Sequence, residues 1–297
     1  MASVYDIITE RVMEQLARGV VPWRKPWATD KRYRFPLNMS SGKPYRGINV
    51  FLLASQGYDS PLWLTFNQAK SFGGNVRKGE RGTPVVFWQW PDEKAKEKAR
   101  AAGKQPAPIV RYYTVFNVAQ CDGLPEVKTA AAKDERTTAE RIAECEALVA
   151  GIENAPTYRE APEAWYRPAD DVLGMPAFDK FHSPEAYYAT LFHELTHATG
   201  HDSRLGRLKN PDANFSFGSE TYAKEELVAE MGAAMLCGVT GIVDKTLDQS
   251  ASYIAGWLKA LKNDKTLVVY AAAQAQKAAD WLRGENGSSG SSSGDEE

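Results

Sequence analysis

The stretch His193-Glu194-Leu195-Thr196-His197 decides how the carboxyl-terminal half of this 297-residue chain is read. Upstream, Ser183-Pro184-Glu185 is a helix start, a capping serine with proline in the first turn. The helix it opens runs to about Gly200. Two histidines four apart on a helix project from one face toward one point. Glu194, beside the first, can reach a water on a metal without being a ligand. This is the spacing that a two-histidine zinc peptidase site needs. A polar face with incidental histidines is the plain alternative. Three of the chain's four histidines lie within 193–201, on a capped helix of the right length, which argues against it.

A catalytic zinc takes three protein ligands and keeps one open position. His201 lies one turn beyond His197, but Gly200 ends the helix and turns it aside. The other source is Glu225-Glu226-Leu227-Val228-Ala229-Glu230. From Leu227 to Cys237 this segment is apolar on every side except at Glu230, the pattern of a buried helix. A lone buried carboxylate is costly unless it is paired. Glu226 and Glu230 share one face, so together they could supply a ligand and a carboxylate that holds a ligand histidine. Glu226 is preferred as the ligand and Glu230 as its support, with Glu230 and His201 as the alternative ligands. Glu225 reads as a first-turn acid favoured by the helix dipole. The implied chemistry is metal-assisted hydrolysis with Glu194 as general base. Zn2+ is the expected cofactor, with another divalent ion such as Mn2+ as the alternative. His201, Tyr222 and Tyr253 are the available oxyanion donors. The strand at Val172–Met175 is a candidate to pair with an extended peptide.

Total charge is uninformative, at 36 Lys+Arg against 38 Asp+Glu, but the two halves differ. Residues 1–120 hold 19 basic and 9 acidic side chains, a net of +10, and the remainder holds 17 and 29, a net of −12. Such asymmetry points to two domains, the first facing a polyanion. Residues 1–120 also contain 17 of the 32 aromatics, many alternating with cations. The runs are Trp23-Arg24-Lys25-Pro26-Trp27, Lys31-Arg32-Tyr33-Arg34, Lys43-Pro44-Tyr45-Arg46 and Arg111-Tyr112-Tyr113, with Arg77-Lys78 and Arg81 in a glycine-flanked basic turn. Single-stranded nucleic acid needs this mixture, because flat side chains stack on bases while cations follow the phosphates. No helix-turn-helix or zinc-finger pattern suggests a duplex reader. The candidate contacts are Trp23, Arg24, Lys25, Trp27, Arg34, Lys43, Tyr45, Arg46, Arg77, Lys78 and Arg81.

Met1 to Glu10 lacks a basic segment followed by an apolar core, and no apolar run approaches the ~18 residues that span a bilayer. Three scattered cysteines, Cys121, Cys145 and Cys237, read as reduced thiols of a cytoplasmic protein. Periodicity predicts helices at 4–18, 138–152, 183–200, 221–237, 247–262 and 266–283. Strands are expected at Val85–Trp90, Val110–Val118 and, as a reversing pair, within Glu163–Met175. The charged segment 92–105 reads as an exposed helix or hairpin extension. The fold class is therefore α+β in two domains: a basic mixed domain at 1–125, a linker and connecting helix at 126–154, a mainly helical domain with a small sheet at 155–284, and a disordered Gly/Ser-rich tail at 285–297.

Taken together, the motifs resemble those of the ArdC antirestriction proteins of bacterial conjugative plasmids. The matching stretches include Val20-Val21-Pro22-Trp23-Arg24-Lys25-Pro26-Trp27, Tyr45-Arg46-Gly47-Ile48-Asn49, Trp63-Leu64-Thr65-Phe66-Asn67-Gln68-Ala69, Val76-Arg77-Lys78-Gly79-Glu80 and Tyr166-Arg167-Pro168. The histidine motif through His201 and Glu225–Glu230 complete the set. The resemblance implies an amino-terminal single-stranded-DNA-binding domain joined to a zincin-like metallopeptidase domain. It also implies protection of incoming plasmid DNA from restriction during conjugation, with a DNA-recruited peptidase acting on DNA-bound proteins as the alternative.

Overall fold

Ser3 opens the first helix, α1 (Val4–Ala17), with a reciprocal cap: its hydroxyl accepts from the Asp6 amide and the Asp6 carboxylate accepts from the Ser3 amide. The computed structural model describes residues 3–24, 35–89, 91–106, 108–125, 136–209, 219–242 and 251–285, and every structural statement concerns these. The amino-terminal domain continues through β1 (Leu37–Asn38), α2 (Ile48–Ala54), β2 (Leu62–Thr65), α3 (Phe66–Ser71), β3 (Asn75–Val76), β4 (Thr83–Gln89), α4 (Glu93–Ala101), β5 (Ile109–Asn117) and β6 (Cys121–Asp122). Four of these strands form one sheet in the order β1-β2-β5-β4, parallel only between β1 and β2. The expected charged segment is α4, an insertion between β4 and β5 with no buried side chain.

The carboxyl-terminal domain holds α5 (Thr138–Ala150), β7 (Thr157–Glu160), β8 (Trp165–Arg167), β9 (Val172–Met175), α6 (Pro184–Ala198), α7 (Glu220–Thr240), α8 (Ala251–Asn263) and α9 (Leu267–Leu282). Its sheet runs β7-β9-β8, with β7 parallel and β8 antiparallel to β9. The expectation that Val172–Met175 offers a free edge to a peptide is corrected here. Strand β7, which polar residues Thr157–Glu160 hide from periodicity, pairs with β9 on one side while β8 pairs on the other. Both of its hydrogen-bonding edges are used.

One continuous core joins the two halves. The Ile8, Val12 and Leu16 stripe of α1 belongs to the same buried cluster as Phe51 and Leu52 of α2, Leu195 of α6, Leu227 and Met231 of α7, and Val268 and Ala272 of α9. The Thr9 hydroxyl donates to the Lys265 carbonyl at 2.6 Å, and the Gly47 amide donates to Gln276 Oε1 at 3.0 Å. The domains are distinct in topology but not in packing. An amphipathic stripe must be covered, and here each domain covers the other.

Candidate metal centre

Helix α6 carries the histidines because its start is fixed: the Ser183 hydroxyl accepts from the Ala186 amide and Pro184 takes the first turn. Helix α7 reaches it closely through Gly232. A Cβ at that position would lie 2.5 Å from Thr196 Cγ2, inside any van der Waals contact, so only glycine permits this approach. Thr196 is the neighbour of His197, and Glu226 lies upstream on α7. The close crossing therefore brings the carboxylate to the imidazoles.

Ligand-type atoms of His193, His197 and Glu226 all lie within 4.8 Å of one another. His193 Nε2 and His197 Nε2 are 3.1 Å apart, and the Glu226 oxygens stand 3.6 Å from His193 Nε2 and 3.4 Å from His197 Nε2. Ligands at about 2.1 Å in tetrahedral array around zinc are about 3.4 Å from each other, so the spacing suits such an ion. The side chains keep 21%, 13% and 24% of their exposure, which leaves an approach for water or substrate.

Electrostatics support the same fit. His197 Nδ1 faces Glu225 Oε1 at 3.2 Å; an ionised carboxylate only accepts, so the Nδ1 hydrogen points there and Nε2 turns toward Glu226. Burial alone would lower the His197 pKa, but the bonds and charges of Glu225 and Glu226 override it and raise it to about 10. Burial would likewise raise Glu226, yet the two histidines hold it well below the usual carboxylate range. Two imidazole nitrogens and a carboxylate converging in this way need a shared positive charge, which a proton or a divalent cation provides. His193, His197 and Glu226 would hold that cation.

Glu225 supports His197. Arg207, with 7% of its side chain exposed, donates from Nη2 to Glu225 Oε1 at 2.8 Å and from Nε to Oε2 at 3.0 Å. Its remaining donors reach the Thr199 hydroxyl and the Thr196 carbonyl at the end of α6. Reading Glu225 as a first-turn acid omitted this contact, since a carboxylate and a guanidinium eighteen residues apart give no periodic signal. Glu230 is half-buried one turn beyond Glu226, outside the three-residue cluster. His201 is turned away, its Nδ1 accepting from the Ser203 amide at 3.2 Å. Glu194 is buried at 8% exposure, and no hydrogen bond or ion pair among the described residues engages it. Tyr222 sits one turn before Glu226 on α7, and the side chain of Tyr253 lies outside the described residues.

The nucleic-acid candidates scatter. Lys25, Trp27 and Arg34 lie outside the described residues, as does the side chain of Arg24. Trp23 is corrected from stacking platform to core: it is 1% exposed and meets Trp257 edge-on at 5.2 Å, so no base can reach its face. Arg46 pairs with Asp280 of α9, and Arg77 is neutralised by Glu80 and Asp122. Tyr45 is half-buried against a small cluster of Leu53, Trp63, Val85 and Val115. Lys43, Lys78 and Arg81 are exposed.

Comparison with known proteins agrees with this architecture. Residues 2–116 match the N-terminal domain of anti-restriction factor ArdC, and residues 143–274 match a zincin-like metallopeptidase domain. The crystal structure of the antirestriction ArdC protein from plasmid R388 in its Mn(II)-bound form superposes with a TM-score of 0.75 at 39% identity, covering 97% of this chain and 99% of that one. The chain belongs to the ArdC antirestriction family. The metal-free ArdC structure gives a TM-score of 0.73 at 41% identity, over 96% and 98% of the two chains. Among curated relatives, the Escherichia coli DNA primases TraC are 37% and 38% identical across 94% of this chain. The chain spans only 27% and 20% of their lengths, so it matches one region of much longer proteins. Protein y4eC of Sinorhizobium fredii is 35% identical over 94% of this chain and 91% of its own length. In this ArdC-family chain the two histidines stand on α6 and the acid on α7, both within the zincin-like match. No helix among the described residues is long and apolar enough to cross a membrane.

Proposed function

We propose that this chain is a cytoplasmic antirestriction protein that binds single-stranded DNA and protects DNA entering by conjugation. It carries a metallopeptidase-type site with Zn2+ or Mn2+ as its ion. The observation that carries the metal reading is the convergence of His193 Nε2, His197 Nε2 and the Glu226 carboxylate within 4.8 Å. The Mn(II)-bound state of the R388 relative supports it. For the nucleic acid, support comes from the basic, aromatic first domain, in which Lys43, Lys78 and Arg81 offer exposed cations to phosphates.

When bound, the cation polarises a carbonyl and makes water a better nucleophile. The chain's own residues then do the rest. Glu194, next to His193 on α6, takes the proton of the attacking water and delivers it to the departing amine. Tyr222, on the Glu226 face of α7, offers a hydroxyl to the developing oxyanion. Arg207 and Glu225 keep the His197 ring in one orientation.

The decisive experiment is Glu194→Ala. If shielding of DNA comes from strand binding, the variant retains protection against a restriction endonuclease in conjugation assays. Loss of protection with intact DNA binding would reject that reading. The second reading, a DNA-recruited peptidase, is favoured by the partial exposure of the three candidate ligands. It requires cleavage of a DNA-bound protein that rises with added single strands and vanishes in Glu194→Ala.

A further inference from the structure

Strands β4 and β5 pair over seven positions, from Thr83↔Val115 to Gln89↔Ile109, whereas β2 pairs β5 only at Val115–Asn117. Beyond Val115 the two strands therefore run on as a ribbon, and no strand lies along the β5 edge at Ile109–Thr114 among the described residues. The ribbon's other edge is closed at Val86, whose amide and carbonyl bond the Asn49 side chain at 2.7 and 2.8 Å. Side chains alternate between its two faces. One face packs inward at three positions: Val86 lies in the main core, Trp88 and Val110 lean on it, and Trp88 meets Tyr5 of α1 edge-on at 6.4 Å, while Tyr112 opposite Val86 is 48% exposed.

The opposite face begins in the small cluster with Val85 and Val115 and then emerges into solvent. There Phe87 and Tyr113 meet edge-on at 5.6 Å, Arg111 follows, and Ile109 is 59% exposed. Tyr113 is 39% exposed. A row of aromatic, cation and aliphatic side chains on a solvent-facing ribbon has no structural task that the core leaves undone. Its charge points to the occupant. Neither Thr83–Gln89 nor Ile109–Asn117 contains a single Asp or Glu. Arg111 has no ion-pair partner among the described residues; α4 at the far end is mixed, with Lys94, Lys98 and Arg100 beside Glu93 and Glu97.

We propose that this outward face of the β4–β5 ribbon is the platform on which single-stranded DNA lies. Phe87 and Tyr113 stack on bases and Arg111 meets the phosphate between them. The proposal rests on the single-strand reading above and deepens it by assigning the surface. Trp23 itself cannot serve as such a platform, because its ring is core.

The test uses the full chain and a fluorescent oligothymidylate, read by anisotropy across a salt series, with a duplex of equal length beside it. Tyr113→Ala and Phe87→Ala are each expected to weaken single-strand binding roughly 5- to 100-fold, while Tyr113→Phe binds as wild type. Arg111→Ala should make the plot of log affinity against log salt shallower by about 0.7. Arg111→Glu changes only an exposed, unpaired side chain, so it tests the face without threatening the fold, and it should weaken binding at least as much. Unchanged thermal melting and Mn2+ uptake confirm that the variants are folded. If wild type binds single strands and these variants match it within twofold, the platform lies elsewhere and single-strand binding stands. If wild type binds only duplex, or binds neither, both readings fall.

Discussion

Replacing Glu225 separates its two tasks, because its carboxylate sits between a ligand histidine and a buried cation. Oε1 lies 3.2 Å from His197 Nδ1 and 2.8 Å from Arg207 Nη2, and Arg207 is 7% exposed. Glu225→Ala frees the imidazole and also strands the guanidinium without a counter-charge, which costs about 3–5 kcal/mol of stability. Glu225→Gln keeps the shape and one acceptor oxygen, so Arg207 stays bonded and the stability cost falls to about 1–3 kcal/mol. Its amide no longer fixes the His197 hydrogen by charge. Carboxylate partners of ligand histidines are worth about 10–100-fold in metal affinity, or roughly 1.4–2.7 kcal/mol. The expected result is therefore a loss of that size in Glu225→Gln, with most of the folding stability retained. Competition of Zn2+ or Mn2+ against a chelating dye gives the affinity, and urea unfolding of the metal-free protein gives the stability. Metal binding in Glu225→Gln within twofold of wild type would refute the reasoning and reduce Glu225 to an anchor for Arg207.

Glu226→Gln should lower metal affinity more than Glu225→Gln does, whereas Glu230→Gln should leave it unchanged; the same dye competition decides, and the reverse order would move the ligand one turn along α7. Gly232→Ala drives a methyl into Thr196 at 2.5 Å, so it should cost about 1–3 kcal/mol in urea unfolding and weaken metal binding by splaying α6 from α7. Asp171 accepts from Tyr166 at 2.8 Å and from Arg204, whose side chain is fully buried. Burial would raise its pKa, but Arg204 and Tyr166 override that and depress it, so its contribution is full above the ordinary carboxylate range and is lost as pH falls through the folded value. Asp171→Asn should therefore destabilise the fold by about 3 kcal/mol at neutral pH and flatten the acid limb of stability in urea titrations below about pH 5.

Much of the site is visible in the order of residues because helices convert spacing into direction. A spacing of four from His193 to His197 is about one turn, and Ser183 with Pro184 sets where the helix begins. Glu226 stands out because it shares a face with Glu230, the lone acid of an otherwise apolar stretch from Leu227 to Cys237, and a buried carboxylate must be paired. The Glu225–Arg207 pair does not show in this way, since its partners are joined by a loop and no period connects them. The same holds for β7, whose Thr157–Glu160 carries no alternation, and for β9, whose edges look free until its neighbours are placed. Trp23 shows the limit from the other side. Aromatic and basic residues alternate along Trp23–Trp27, yet composition cannot say which rings face water.

Local periodicity and capping chemistry were enough to determine the longer helices, the histidine pair and the polarity of the two halves, since each depends on residues within a few turns of one another. Only the tertiary structure decided which acid meets those histidines, how Gly232 lets two helices close, and which aromatic side chains remain in water. Those outcomes depend on contacts between segments far apart in the chain, where burial is shared and no residue's neighbours in sequence reveal its neighbours in space.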